Sequence, residues 1–131
     1  MVIDTSAIVA MLFGEAEAEA FAAAIESDPV RLMSAASALE ATIVVESELG
    51  IAGSRELDAL LQTAGVAIEP VTVEQLAAAR HAFRTFGKGR HPAALNLCDC
   101  FSYALSKFTG EPLLFKGDDF KRTDIDRHRS L

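Results

Sequence analysis

The sequence predicts an α/β fold in which a short parallel β-sheet is layered with helices. Short apolar segments rich in β-branched residues alternate with longer segments whose apolar residues recur at helical spacing. Strands that alternate with helices are joined by crossover connections, which favour parallel pairing. With 131 residues, half of them hydrophobic, the chain is long enough to bury the core of a single domain, residues 1–131.

The amino-terminal half is predicted to hold three strands and four helices, if the strand at 66–68 is included. Val2 and Ile3 are typical of the end of a buried strand, and Thr5 or Ser6 of a helix start. A helix over 15–26 and a strand over 30–33 follow. The next helix is capped by Ser34 or Ser37 and ends at Gly50. A helix from Gly53 to Gly65 then leads to the strand at 66–68.

The remaining elements follow the same alternation. Apolar residues at helical spacing predict a strong helix over 73–86, followed by a basic, glycine-containing loop over 87–92. A further helix is predicted over 96–108 and a last strand over 113–115. Each predicted strand is therefore followed or preceded by a helix that can cover one face of the sheet.

Composition narrows the classes of protein to which the chain can belong. No segment is long and apolar enough to cross a bilayer, and no basic segment precedes the first apolar run as in a signal peptide. Cys98 and Cys100 are too close in sequence for a favourable mutual disulfide. We therefore expect a reduced, cytoplasmic protein with no membrane contact.

The charge is distributed unevenly along the chain. A net charge of −7 and a pI near 4.9 would ordinarily disfavour nucleic acid as a partner. The basic residues nevertheless concentrate from residue 80 onward, among them Arg80, Arg84, Lys88, Arg90, Lys116, Lys121, Arg122, Arg127 and Arg129. This distribution is compatible with a polyanionic partner.

Acidic residues at several separate positions have surroundings that do not suit a solvated charge. Asp4 ends the first strand, and Glu40 shares a helix face with apolar residues. Asp99 lies in the first turn of a helix, while Asp118 and Asp119 follow the last strand. Taken singly, Asp99 is explained by helix capping, Glu40 by an arginine partner, and Asp118 and Asp119 by a turn.

Parallel-strand ends and helix starts meet at one edge of a sheet, so these acids are expected to converge. Converging carboxylates repel and raise one another's pKa unless a cation neutralises them. Oxygen ligands favour Mg²⁺ or Mn²⁺. Because the chain has no glycine-rich phosphate loop of the Walker type and no GxSxG motif, metal-assisted hydrolysis of a phosphodiester is the chemistry that remains.

Four segments, in order, resemble a PIN domain of the VapC toxin type: 2–7, 37–45, 96–104 and 114–120. The resemblance implies a PIN-like three-layer α/β/α sandwich with a short central parallel β-sheet. It also implies a Mg²⁺- or Mn²⁺-dependent endoribonuclease, the toxin of a bacterial type II toxin–antitoxin module. The implied partners are an RNA substrate and a cognate VapB-type antitoxin, in a homodimer or a toxin–antitoxin hetero-oligomer.

The resemblance also assigns roles to residues. Asp4, Glu40 and Asp99 match three catalytic and metal-binding acids of the family. Asp119 is favoured as the fourth, with Asp118 as a neighbouring or substituting metal ligand, because Gly117 stands where many PIN domains have aspartate. The side chain of Thr5 or Ser6 resembles the hydroxyl group that supports the carboxylates; helix capping is the alternative role, and both can hold together.

Two surface predictions remain open at this stage. Arg84, Lys88, Arg90 and Lys116 are candidates for gripping the RNA backbone, and the alternative is a solvated charged face. The helix faces at 21–25, from Ile43 onward and at 57–61 carry more apolar surface than a small sheet can cover. An antitoxin segment or a second protomer is expected to cover the remainder.

Other functions are also compatible with parts of the pattern. A PIN-like nuclease acting on other nucleic acids would share the acidic site, and an inactive PIN-fold module could use the acidic rim only to bind a partner. A dehalogenase-like phosphatase also begins with a strand and an aspartate, but it requires a second aspartate two residues later, where this chain has Ser6.

Overall fold

The computed structural model describes residues 1–129, and within them four strands alternate with five α-helices. The prediction of an α/β fold is confirmed. The elements, in chain order, are β1 (Val2–Ile3), α1 (Thr5–Leu12), α2 (Ala18–Ser27), β2 (Leu32–Ser34), α3 (Ala35–Thr63), β3 (Ala67–Glu69), α4 (Val73–Phe86), α5 (Leu97–Thr109), β4 (Leu113–Leu114) and a 3₁₀ turn (Phe120–Arg122).

The four strands form one parallel sheet in the order β3-β2-β1-β4. Val2 of β1 lies opposite Leu32 on one side and Leu113 on the other. Because all four strands run in the same direction, their carboxyl ends share one edge of the sheet. The central strand β1 therefore delivers whatever follows Ile3 to the middle of that edge.

Side chains of the sheet alternate between two hydrophobic clusters, one on each face. Ile3 and Leu114 belong to a cluster with residues of α1, α2 and α3. Val2 and Leu113 belong to a second cluster with Tyr103 and other residues of α4 and α5. Helices thus cover both faces of the sheet, and the predicted three-layer α/β/α sandwich is confirmed.

The helix α3 is interrupted at Gly50, whose backbone dihedral angles (φ 67°, ψ −164°) are not helical. This interruption agrees with the predicted helix end at Gly50 and restart at Gly53. Ser34, rather than Ser37, caps the helix, since the Ser34 hydroxyl accepts a hydrogen bond from the amide of Ala36. Ser37 is instead fully buried in the first turn.

Two other helices start later than their sequence patterns predict. The helix α2 begins at Ala18 rather than at residue 15, and the carboxylates of Glu15 and Glu17 form ion pairs with the side chain of Lys116. The helix α5 begins at Leu97 because Asn96 is its N-cap. The bounds of α4, Val73–Phe86, agree with the predicted helix over 73–86.

The helix faces at 21–25 and 57–61 were expected to leave apolar surface for a partner to cover, and this expectation is wrong in part. Phe21, Ile25 and Leu57 are at most 3% exposed and belong to the core. The large apolar side chains that remain exposed lie mostly on α3, α4 and the start of α5: Leu39, Ile43, Leu49, Ile51, Val73, Leu76, Phe83 and Leu97. None of the helices between residues 1 and 129 combines the length and the apolar character needed to cross a bilayer.

Gly53 lets the two halves of α3 pack closely, and its replacement by alanine should destabilise the fold. A Cβ atom at this position would lie 2.7 Å from Leu49 Cβ and 2.7 Å from Val45 Cγ1. We expect Gly53→Ala to lower the free energy of unfolding in urea by about 1–2 kcal/mol, because overpacking outweighs the gain in helix propensity. The neighbouring exposed Ala52 provides the control, since Ala52→Ser should change it by less than about 0.5 kcal/mol. An equally stable Gly53→Ala protein would contradict this account.

Candidate active site

A pocket of about 300 Å³ opens at the carboxyl edge of the sheet. Four carboxylates from four separate segments of the chain line it. The lining residues are Asp4, Thr5, Ser6, Val9, Glu40, Val44, Asn96, Asp99, Lys116, Asp119 and Phe120.

Each acidic residue of the pocket is placed by the start or end of a structural element. Asp4 follows β1 and is the N-cap of α1. Glu40 lies in the second turn of α3, and Asp99 is the third residue of α5. Asp119 precedes the 3₁₀ turn after β4. The parallel sheet therefore brings together side chains that are up to 115 positions apart in sequence, Asp4 and Asp119 being the most distant pair.

The Asp4 carboxylate is almost completely buried, with 3% exposure. Its Oδ2 accepts hydrogen bonds from the Ser6 amide at 2.9 Å and from Ser6 Oγ at 2.6 Å. Its Oδ1 accepts a hydrogen bond from Ser102 Oγ at 2.6 Å. A buried carboxylate that lacks a cation is stabilised by such donors.

Of the two hydroxyl groups suggested by the sequence, that of Ser6 contacts the acid. The Ser6 hydroxyl also accepts a hydrogen bond from the Lys116 amide at 3.0 Å, which ties α1 to the segment after β4. Thr5 Oγ1 instead donates to the backbone carbonyl of Ser37 at 3.0 Å. Thr5 thus supports the first turn of α3 and does not contact Asp4 through its hydroxyl.

The sequence analysis did not identify Ser37 and Ser102 as part of the site. Both are fully buried, and their hydroxyl oxygens lie 3.0 Å apart. A signal for them was present, because Ser37 lies three residues before Glu40 and Ser102 three residues after Asp99. Residues three apart share a helix face, so each serine accompanies an acid toward the edge of the sheet.

Asp99 combines a capping role with a place in the pocket. Its Oδ2 accepts a hydrogen bond from the Asn96 amide at 2.8 Å, and its own amide donates to Asn96 Oδ1 at 2.9 Å. Burial raises the pKa of Asp99 to about 7, and the nearby charges of Asp4, Glu40 and Asp119 add to the rise, although the hydrogen bond from Asn96 opposes it. Burial is thus the main cause of the raised pKa, and the three neighbouring acids contribute to it.

Basic side chains do not neutralise the pocket. Among residues 1–129, no lysine or arginine makes a hydrogen bond or ion pair with any of the four lining carboxylates, Asp4, Glu40, Asp99 and Asp119. Lys116 lies at the rim, but its ammonium group pairs with Glu15 and, at 3.1 Å, with Glu17.

Asp118 and Asp119 occupy different environments. Asp118 accepts a hydrogen bond from Lys121 Nζ at 2.9 Å, and its side chain is 71% exposed and lies outside the pocket. The Lys121 ammonium lowers the pKa of Asp118. Asp119 lines the pocket. This difference favours Asp119 over Asp118 as the fourth acid.

The two cysteines lie near the acids and are unpaired. Burial raises the pKa of Cys98 to about 11, and the charge of Glu40 and a hydrogen bond with it contribute to the rise. Burial also raises the pKa of Cys100, with the charge of Asp99 adding to it. Both thiols therefore stay protonated at neutral pH, which leaves oxygen atoms as the available donors of the pocket.

The donor set fits a hydrated Mg²⁺ or Mn²⁺ ion better than a fully caged one. Within the described part of the chain, no three side chains of the His, Cys, Asp and Glu types are arranged to hold an ion directly. Mg²⁺ commonly keeps several waters and takes one or two carboxylates from the protein. Oxygen donors that line one pocket and, among residues 1–129, have no basic side chain paired to them meet that requirement.

The predicted RNA-binding residues lie in different surroundings. A second, largely apolar groove of about 460 Å³ adjoins the acidic pocket through Asn96, and Arg80 and Lys88 are part of its lining. The Arg90 guanidinium lies 4.8 Å from the centre of the Phe83 ring. Arg84 is exposed on α4. Contact with RNA stays a prediction for all of them.

Known proteins resemble the chain in sequence and in fold. Residues 1–126 match the PIN domain family. The chain is 58% identical over 125 residues to a ribonuclease VapC30 of Mycobacterium tuberculosis (strain H37Rv), with 95% of both chains covered. It is 57% identical over 125 residues to a ribonuclease VapC of Mycolicibacterium smegmatis, with 95% of this chain and 97% of the relative covered.

A solved structure shares the fold. The crystal structure of Mycobacterium tuberculosis VapC20, described as a toxin that cleaves the sarcin–ricin loop, superposes with a TM-score of 0.77. The match covers 95% of each chain at 18% sequence identity. At this identity the likeness shows a common fold.

The accumulated negative charge can be measured through Asp99 in metal-free protein. In EDTA, we expect the Asp99 carboxyl carbon to titrate by NMR with a pKa of about 7. Glu40→Gln and Asp119→Asn should each lower that pKa, whereas Asp118→Asn should leave it unchanged, because Asp118 lies outside the pocket.

The raised pKa of Asp99 also determines how the stability of the fold depends on pH. The folded-state pKa of Asp99 is about 7, whereas the ordinary value is 3.8. Between these two pH values the Asp99 carboxyl group is protonated in the folded protein and ionised in the unfolded chain. The stabilisation from this group is present below the lower pKa and is lost as the pH rises through 7. An Asp99 pKa near 3.8 in EDTA would contradict the convergence of the four acids.

Proposed function

The chain belongs to the PIN-domain family and to its VapC ribonucleases, and from that premise we propose that it is a Mg²⁺- or Mn²⁺-dependent endoribonuclease, the toxin of a type II toxin–antitoxin module. One observation carries the metal-dependent part of the proposal. Asp4, Glu40, Asp99 and Asp119 line a single pocket, and none of them is paired with a basic side chain among residues 1–129.

In this mechanism the chain supplies ligands, orientation and a shaped pocket. A bound divalent ion lowers the pKa of a coordinated water and offsets the charge of the phosphate. Asp4, which is 3% exposed, would be one ligand of the ion, and Ser6 and Ser102 fix its carboxylate. Asp99 presents Oδ1, because Oδ2 accepts the hydrogen bond from Asn96.

The four acids differ in their exposure. Glu40 and Asp99 are both half-buried and Asp119 is exposed, whereas Asp4 is 3% exposed. Asp4, Glu40, Asp99 and Asp119 would together hold the divalent ion. The exposed Asp119 is the acid best placed to orient a water toward the substrate.

Phosphate groups of the RNA have basic contacts available beside the pocket. Lys88 lies in the groove that adjoins the pocket at Asn96, and Arg84 and Arg90 are exposed near it in sequence. Lys116 lies at the rim of the pocket itself. Because contacts from lysine and arginine to phosphate position the strand without reading its sequence, we assign Arg84, Lys88 and Arg90 to backbone binding. Lys116 would join them by exchanging Glu15 and Glu17 for a phosphate.

The proposed protein partner is a VapB-type antitoxin. Leu39 and Ile43 are 61% and 57% exposed on α3, next in sequence to the pocket-lining Glu40 and Val44. An antitoxin segment that covers these apolar side chains would lie beside the acids, where an arginine or lysine of its own could enter the pocket. The exposed apolar residues of α4 are available for a homodimer or hetero-oligomer contact, and the cytoplasm is the proposed location.

Substitution of the acids tests the catalytic assignment and separates Asp118 from Asp119. We expect Asp4→Asn, Asp99→Asn and Asp119→Asn each to slow RNA cleavage by at least about 100-fold, because each removes a charge that holds the ion or its water. Asp118→Asn should cleave near the wild-type rate, since its carboxylate pairs with Lys121 outside the pocket. Cleavage is measured on RNA with Mg²⁺ or Mn²⁺, and circular dichroism verifies the fold.

Four outcomes would contradict the proposal or a part of it. Wild-type cleavage that persists in EDTA would refute the dependence on metal. Loss of activity in Asp118→Asn with normal activity in Asp119→Asn would reverse the choice of the fourth acid. Cleavage of DNA in preference to RNA would indicate a PIN-like nuclease with another substrate, and metal binding without cleavage of either would indicate a binding module.

The contribution of Lys88 to RNA binding can be isolated from catalysis by its salt dependence. In an Asp4→Asn background with EDTA, Lys88→Ala should weaken binding of a short single-stranded RNA and reduce the slope of log K against log [salt] by about 1, as expected for one lost phosphate contact. Fluorescence anisotropy at several salt concentrations measures both quantities.

Arg55→Ala is the matched control, because Arg55 is exposed on the second half of α3 and lies outside both cavities. An equal reduction in slope for Lys88→Ala and Arg55→Ala would show that the effect reflects net charge and would remove Lys88 from the binding surface.

A further inference from the structure

Asp4 receives hydrogen bonds from two elements that are remote in sequence. Ser6 belongs to the helix that Asp4 itself caps, so its contact is local. Ser102 lies on α5, 98 residues later, and donates to Asp4 Oδ1 at 2.6 Å. The exposed fraction of Ser102 is 0%, so water cannot replace this hydroxyl without a rearrangement of the core.

The direction of the hydrogen bonds follows from the chemistry of the groups. A carboxylate accepts hydrogen bonds, so Ser102 donates its one hydroxyl hydrogen to Asp4. The contact of 3.0 Å between the hydroxyl oxygens of Ser37 and Ser102 then requires Ser37 to donate. The result is a directed chain from Ser37 to Ser102 to Asp4 that joins α3 and α5 to the end of β1.

These hydrogen bonds determine which oxygen atom of Asp4 can face a metal ion. The two oxygens of a carboxylate offer about four acceptor positions. Within residues 1–129, Oδ2 uses two for the amide and hydroxyl of Ser6, and Oδ1 uses one for Ser102. The acceptor position left on Asp4 is therefore on Oδ1, next to the hydrogen bond from Ser102.

We infer that Ser102 is a positioning residue for the metal ligand Asp4: held by Ser37, it orients Asp4 so that Oδ1 binds the divalent ion through a single oxygen. The inference rests on the proposed function, since it requires a metal ion at this pocket. Partners that fix first ligands in this way typically change metal affinity or activity by 10- to about 100-fold when they are removed.

Ser106 provides a matched comparison for Ser102. It lies one turn further along α5, is 3% exposed, and donates its hydroxyl to the Glu111 carbonyl at 2.6 Å, outside the pocket. Ser106→Ala therefore removes a buried hydroxyl from the same helix without touching Asp4. A role for Ser102 in stability alone predicts the same behaviour for the two alanine variants.

The test measures Mn²⁺ binding to the full chain by isothermal titration calorimetry and, separately, the Mg²⁺ concentration that gives half-maximal RNA cleavage. We expect Ser102→Ala to weaken Mn²⁺ binding by about 10- to 100-fold and to raise the Mg²⁺ midpoint in parallel. At saturating Mg²⁺ the cleavage rate should recover markedly, unlike that of Asp4→Asn. Ser106→Ala should keep the wild-type Mn²⁺ affinity and Mg²⁺ midpoint.

Two further variants keep the inference falsifiable if Ser102→Ala folds poorly. Ser37→Ala leaves Ser102 in place and should weaken Mn²⁺ binding in the same direction by a smaller factor. Ser102→Thr keeps the hydroxyl and should bind Mn²⁺ more tightly than Ser102→Ala.

The outcomes also separate this inference from the function on which it rests. Wild-type Mn²⁺ affinity in Ser102→Ala or, if that variant does not fold, in Ser37→Ala would overturn the positioning role while leaving metal-dependent cleavage intact. Absence of Mn²⁺ binding and of metal-dependent cleavage in the wild-type chain would overturn the proposed function and the positioning role together.

Discussion

The arrangement of the site depends on one constraint, the burial of the Asp4 carboxylate at the end of the central strand. A buried carboxylate is unfavourable unless hydrogen-bond donors or a cation compensate it. Here the compensation comes from donors on α1 and α5. The need to satisfy Asp4 thus couples the packing of two helices to the position of one side chain.

The parallel sheet turns this local requirement into a site. Because β1 lies in the interior of the sheet and its neighbours run in the same direction, the helices that start after β1 and β2 begin at the same edge. Glu40 and Asp99 reach this edge from helices on opposite faces of the sheet, since α3 packs in one cluster and α5 in the other. The acids meet because both helical layers converge where β1 ends.

The secondary structure was predictable where the signals are local. Apolar spacing and the glycine at 50 mark element boundaries within a few residues. The convergence of the acids followed from the predicted parallel pairing of the strands, and the proposed catalytic roles of Asp4, Glu40 and Asp99 from a resemblance that spans most of the chain.

What sequence reasoning missed depends on contacts between remote residues. The spacing of three residues from Asp99 places Ser102 on the helix face of an acid. It does not show that Ser102 contacts Asp4 while Ser106 contacts a carbonyl on another segment. The apolar faces at Phe21 and Leu57 looked excessive because periodicity gives the width of an apolar stripe but not the number of neighbours that cover it. Contacts of this kind follow from packing in three dimensions.

The environment of Lys116 shows how the pocket keeps its negative charge. A lysine at the rim of four carboxylates would be expected to pair with them, since opposite charges within a few ångströms attract strongly where solvent is limited. Glu15 and Glu17, placed between α1 and α2, instead hold its ammonium group. Their carboxylates raise the pKa of Lys116, so the lysine remains charged while its charge is directed away from the acids. The late start of α2 thus serves the site, because residues 15–17 lie outside the helix and supply the carboxylates that bind Lys116.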